Sequence, residues 1–222
     1  VANSGDYAQV ANSGDYAKVA NSGNSCVIAS IGIFGICRSY IGSWVTLAYY
    51  EKNKSGMYCP VFVKTEFVDG VKIKENVDYC LYKSEFREVL IIDGTKTCIL
   101  NKKGQSYRVW VVGDDKESFV FEENGVYAHG KTLKEARDSL VYKIGDRDSS
   151  KYKEYGLDTK VSKDEAIKMY RVITGSCEYG VKRFIESQGK LKKNYTIKEI
   201  IEITHGQYGD DKFKHFFVAS NE

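Results

Sequence analysis

One proline among 222 residues leaves the chain almost without its strongest breaker of strands and helices. Histidine is scarce too, with three copies, and no two of the six cysteines form a CxxC or CxxH pair. That spacing excludes the usual zinc knuckles, and the expected state of the cysteines is reduced and buried. Basic and acidic side chains nearly balance, 33 against 30, so no whole-molecule field draws the protein to nucleic acid or to an acidic substrate. A charged partner would have to meet a local patch. No apolar run reaches the roughly 18 residues of a membrane-spanning helix. Walker, GxGxxG, HExxH and GxSxG motifs are all missing, so phosphate, dinucleotide, zinc-protease and hydrolase readings have no support. No metal and no cofactor is expected.

What is present is enough to fold. Hydrophobic residues make up 42% of the chain and charged residues 28%, which allows a buried core and argues against disorder. Seventeen tyrosines suit twisted antiparallel sheet, where a ring can face the core and its hydroxyl the water.

The chain begins with a nine-residue unit, VANSGDYAQ, VANSGDYAK, VANSGNSCV, IASIGIFGI. Val1, Val10, Val19 and Ile28 form one column, and Gly5, Gly14, Gly23 and Gly32 another. A fixed glycine column predicts a recurring corner at positive φ, with valine and alanine stacked inward. The expected fold is mainly β plus α. In it, β-solenoid coils over 1–43 pack on an antiparallel β domain over 44–130, followed by a helical module over 131–222 with a linker at about 145–160. Calcium is weighed and set aside, because each unit carries one acidic residue at most, Asp6 or Asp15. Val1 offers no cap to an open coil. A fragment of a longer array is expected, or a first coil covered by another chain, with self-association through that edge.

From Trp44 the period becomes two, with turns at Asp69-Gly70, Asp93-Gly94, Lys103-Gly104 and Asn124-Gly125. Trp44, Tyr49 and Tyr50 are expected in the core rather than on a binding platform. Three capping boxes, Thr132 with Glu135, Ser162 with Glu165 and Thr196 with Glu199, open predicted helices. A last short helix closes on Phe213, Phe216 and Phe217.

The SGDYA-type nonapeptides, followed by IGSWVTLAYYEK and FVDGVKIKENVDYCLYKSEFREV, resemble a largely uncharacterised group of prophage-borne proteins of Firmicutes and Bacteroidetes, in which pentapeptide-like repeats precede a small β domain. The resemblance covers about residues 1–90 and brings no catalytic residues with it. Fewer repeats and a long C-terminal part set this chain apart. The function expected is a non-enzymatic, phage-associated binding or scaffold protein acting through protein–protein contacts. Its expected location is the bacterial host cytoplasm, with the virion as the alternative.

Three other readings are weaker. The C-terminal module is a candidate inhibitor or regulator of a host system, including an anti-defence role. Residues 196–217 permit a helix-turn-helix, yet Asp210 and Asp211 would sit where phosphate should, so nucleic acid is disfavoured. A Cys/His enzyme would rest on Cys177, whose thiolate a helix N-terminus would favour, and on His205. Lys182, Arg183, Lys190, Lys192 and Lys193 form the best basic patch, with solvated lysines as its default reading.

Overall fold

A computed structural model describes residues 1–218. Its strands are β1 (Ala2–Asn3), β2 (Gln9–Asn12), β3 (Lys18–Asn21), β4 (Val27–Ser30), β5 (Ile36–Arg38), β6 (Trp44–Lys52), β7 (Tyr58–Phe67), β8 (Tyr79–Tyr82), β9 (Glu85–Ile92), β10 (Thr95–Lys103), β11 (Ser106–Val111), β12 (Glu117–Glu123), β13 (Val126–Gly130), β14 (Lys160–Ser162) and β15 (Asn194–Thr196). The helices are α1 (Leu133–Ile144), α2 (Lys163–Thr174), α3 (Glu178–Ser187), α4 (Ile197–Ile203) and α5 (Asp210–Val218). Contacts gather the chain into two units. The first holds 1–90, 96–100 and 110–116, and the second holds 91–95, 101–109 and 117–222.

The expected solenoid is corrected by the first unit. The described residues form a mixed α/β protein with five helices and several sheets, and the repeats are not a separate stack of nine-residue coils. Each repeat strand pairs in parallel with the second repeat onward, Ala2 with Ala20 and Gln9 with Val27, rather than with its neighbour. Consecutive strands therefore alternate between two sheets, β1-β3-β5 in one and β2-β4-β6 in the other. Both sheets continue into antiparallel strands, β8 and β9 after β5, and β7 after β6.

The corner chemistry also differs from expectation. None of Gly5, Gly14, Gly23 and Gly32 is at positive φ; that role falls two residues later, to Tyr7, Tyr16, Ser25 and Phe34, with φ of 54–59°. Glycine is needed at Gly23 and Gly32 because alternate repeats touch there. A Cβ on Gly23 would stand 2.1 Å from the Gly5 carbonyl oxygen, and one on Gly32 would stand 2.2 Å from that of Gly14. The repeat aspartates serve the same stacking. Asp6 Oδ1 accepts the Asn24 N–H at 2.7 Å, and Asp15 Oδ1 accepts the Ile33 N–H at 3.0 Å.

Val19, Ile28, Val45 and Leu47 build one core of this unit, and Phe34, Ile36, Cys98 and Trp110 another. Asp78 is 5% exposed and takes Arg38 Nε at 2.7 Å and Lys18 Nζ at 2.6 Å. Burial pushes its carboxyl up, but the hydrogen bonds from Arg38 and Lys18 outweigh that and hold it below the ordinary aspartate value. All six cysteines are free, and only Cys59 is exposed. Trp44 departs from expectation: it is half exposed and lies against Phe67, ring centroids 5.1 Å apart.

In the second unit the local signals act where the sequence places them. Thr132, Ser162 and Thr196 each accept the backbone N–H three residues on, and Thr196 with Glu199 completes a reciprocal box. Asp93-Gly94 and Asn124-Gly125 both have two residues at positive φ, as tight hairpin turns require. The segment expected as a linker is packed: Tyr152 is fully buried, and Arg147 donates to the carbonyls of Tyr142, Lys143 and Val172. The helical core joins Met169, Ile173, Ile197, Phe213 and Phe217. No helix among the described residues is long and apolar enough to cross a membrane.

Candidate functional site

The second unit holds a largely apolar cleft of about 220 Å³ between α2, α3 and α4. Its walls follow from helical spacing. Ala166, Ile167 and Tyr170 face it from α2, Val181, Phe184 and Ile185 from α3, and Ile200 and Ile203 from α4. Amphipathic α3 would normally press such a stripe into a core, yet none of its residues is buried. Its apolar face looks into the gap.

Polar groups also line the cleft, among them Asp93, Ser176, Cys177 and Tyr208. Lys143 Nζ bonds Asp93 Oδ1, donates to the Tyr127 carbonyl at 2.9 Å and lies 4.4 Å from the Tyr208 ring centre. Asp93 Oδ2 is buried with no hydrogen-bond partner among the described residues. Burial raises the Asp93 carboxyl above its ordinary value, opposed by Lys143 and more weakly by the Cys177 thiol. The Tyr208 carbonyl accepts the Tyr170 hydroxyl at 2.9 Å.

Cys177 does begin a helix, and its sulfur accepts the Gly180 N–H at 3.3 Å. The expected thiolate does not follow. Burial raises the thiol's pKa, the Gly180 and His129 backbone N–H groups oppose that only in part, and Asp93 adds to the rise. His205 is no partner for it in the way the sequence suggested, because its side chain is 90% exposed and its Nδ1 lies 3.4 Å from Asp210. The histidine beside Cys177 is His129, stacked on Tyr179 with ring centroids 5.3 Å apart.

The basic residues do not converge on one point. Arg183 lines the apolar cleft, while Lys182 lines a separate, charged hollow with His129, Glu135 and Arg171. Lys192 is paired with Glu199 at 2.7 Å, and Lys190 and Lys193 are exposed. No group of three metal-ligating side chains occurs among the described residues. Sequence reasoning missed Asp93 and Lys143 as a pair. Asp93-Gly94 reads only as a turn, and nothing local joins it to a lysine 50 positions away.

His129 carries a pH prediction. Burial, helped by Lys143 and Arg183, lowers its pKa from 6.5 to about 4. Between those values the unfolded chain takes up a proton that the folded protein refuses. The stability present above pH 6.5 is therefore lost as pH falls through that window, by about 2–3 kcal/mol. Urea titrations at pH 7 and pH 4.5 should show this loss, and His129→Gln should reduce it.

The second feature of note is an edge in the first unit. β7 ends the sheet β2-β4-β6-β7, and Cys59 to Val63 are exposed in an unbroken run. Val61, Phe62, Val63 and Phe67 are all at least 41% exposed. The Val68 N–H donates to Ser43 at 2.9 Å, so alternation turns the main-chain groups of Val63, Thr65 and Phe67 away from β6. No family model, curated protein or solved structure matches this chain.

Proposed function

We propose that the protein is a non-enzymatic, prophage-associated binding protein acting through protein–protein contacts, with β7 as the strand that receives its partner. One observation carries this reading. An edge strand of ten residues exposes Val61, Phe62 and Val63 in succession, with a bulge that leaves Val61 unpaired with β6. Proteins usually blunt such an edge with charge, proline or a covering segment. Here Pro60 removes one donor at the start of the exposed run, and the strand beyond it keeps its outward groups. A partner adding a strand would satisfy those groups and cover Val63, Phe67 and the adjoining Trp44. The bacterial cytoplasm is the location in this reading, with the virion as the alternative.

A photo-crosslinking residue in place of the exposed Thr65 of the whole chain, expressed in a bacterial host, should trap one discrete protein. Val61→Lys combined with Val63→Lys should abolish that capture while changing stability by no more than about 0.5 kcal/mol, since both side chains already face water. Unchanged capture by the double variant would refute the assignment.

A further inference from the structure

The residues of β7 also point to what occupies its edge, an inference that rests on the reading of β7 as the receiving strand. The length free to pair is bounded at both ends. On one side lie Pro60, which has no N–H, and the bulge that leaves Val61 unpaired; on the other, Val68 is 1% exposed and its N–H is held by Ser43. Val63, Thr65 and Phe67 remain, exposed and with their main-chain groups turned outward, and Thr65 is their midpoint. Lys64 and Glu66 alternate with them on the opposite face of the sheet. Those two side chains lie 2.9 Å apart, and Lys72 reaches the same Glu66 oxygen at 2.7 Å.

We propose that this edge receives a second copy of the chain, the two β7 strands pairing antiparallel about a two-fold axis at Thr65, so that two four-stranded sheets join into one. The segment is self-complementary in that register. Thr65 faces its own counterpart and Val63 faces the Phe67 of the second copy, so the outward N–H and C=O groups of all three residues are satisfied. Threonine against threonine and an aromatic ring against a β-branched side chain are favourable cross-strand pairs. On the other face Lys64 stands opposite the Glu66 of the second copy, and the symmetry repeats the contact. Together with the pair already present within each strand, this closes a ring of four alternating charges. Charge also fixes the register. An axis one residue earlier would set Lys64 against Lys64, and one residue later Glu66 against Glu66; like charges directly opposite repel. Five consecutive residues of this chain thus supply both halves of every contact, which a foreign strand would have to match.

Sedimentation equilibrium of the full chain should show a monomer–dimer equilibrium, and Thr65→Pro should leave monomer alone. That proline removes an outward N–H and the side-chain bond to Thr46 but no main-chain bond to β6, so circular dichroism should report an unchanged fold. Charge reversal tests the register. Lys64→Glu alone and Glu66→Lys alone each set like charges opposite at both symmetric positions, and each should weaken dimerisation about tenfold or more. Mixed together, the two variants should associate at near wild-type strength, because every charge across the interface again meets its opposite. Should Glu66→Lys misfold for want of an acceptor for Lys72, Thr65→Pro decides the matter. A wild-type chain that stays monomeric up to about 1 mM, a dimer that survives Thr65→Pro, or mixed variants that fail to recover would each overturn the proposal. A monomeric chain whose crosslinker at position 65 traps a different protein refutes only the second copy, whereas capture unaffected by Val61→Lys with Val63→Lys refutes the reading of β7 itself.

Discussion

Gly32→Ala is expected to destabilise the protein by about 3 kcal/mol or more, while Gly5→Ala stays within about 0.5 kcal/mol of the wild type. Both glycines occupy the same column of the repeat and neither has a positive φ, so sequence and propensity give them equal weight. Their surroundings are opposite. A Cβ at position 5 would find one atom within 4 Å, the Asn3 Oδ1 at 3.8 Å, which is ordinary contact. At position 32 it would meet the carbonyl oxygen of Gly14 at 2.2 Å and that of Ser13 at 2.7 Å. Backbone cannot swing aside as a side chain does. Here it is also tied, because the Tyr16 N–H donates to the Ile33 carbonyl at 2.7 Å and Asp15 receives the Ile33 N–H. Urea unfolding of the two variants measures the difference. Equal midpoints would mean that the stacked repeats are not in this register.

Phe213→Ala is expected to cost about 3–5 kcal/mol, and Phe213→Leu less than about 1.5 kcal/mol. The ring is fully buried and lies 4.9 Å from that of Tyr170 and 5.1 Å from that of Phe217. Its loss opens a cavity at the junction of α2 and α5. Phe216 is only partly buried, so although its sequence position suggests an equal role, Phe216→Ala should cost clearly less. The consequence extends beyond stability. Tyr170 lines the cleft between α2, α3 and α4 and its hydroxyl donates to the Tyr208 carbonyl, so a ring freed from Phe213 would loosen one wall of that cleft. Near-ultraviolet dichroism, which reports aromatic packing, should change in Phe213→Ala and remain close to wild type in Phe216→Ala. Comparable losses in both would contradict the assigned helix face.

The sequence by itself determined the features that depend on a few adjacent residues. Thr132, Ser162 and Thr196 announce α1, α2 and α4 because a hydroxyl placed before a helix satisfies an amide that no carbonyl can reach. Asp93-Gly94 and Asn124-Gly125 announce hairpins because two consecutive residues must take positive φ. The apolar stripe of α3 was equally legible, since it needs only the helical period. Tertiary structure decided everything that depends on which segments meet. A nine-residue repeat states that the chain turns every nine residues, but not that each turn carries it to the other sheet, so pairing at a distance of two repeats and the close contact of Gly32 with Gly14 are invisible in it. Trp44 reads as core by its type, and it is exposed because β6 turns the alternate residues Val45 and Leu47 into the core and leaves Trp44 on the other face of the sheet. The ion pair of Asp93 with Lys143 and the exposure of His205 follow the same rule: local chemistry sets what each residue is able to do, and only long-range packing sets what stands next to it.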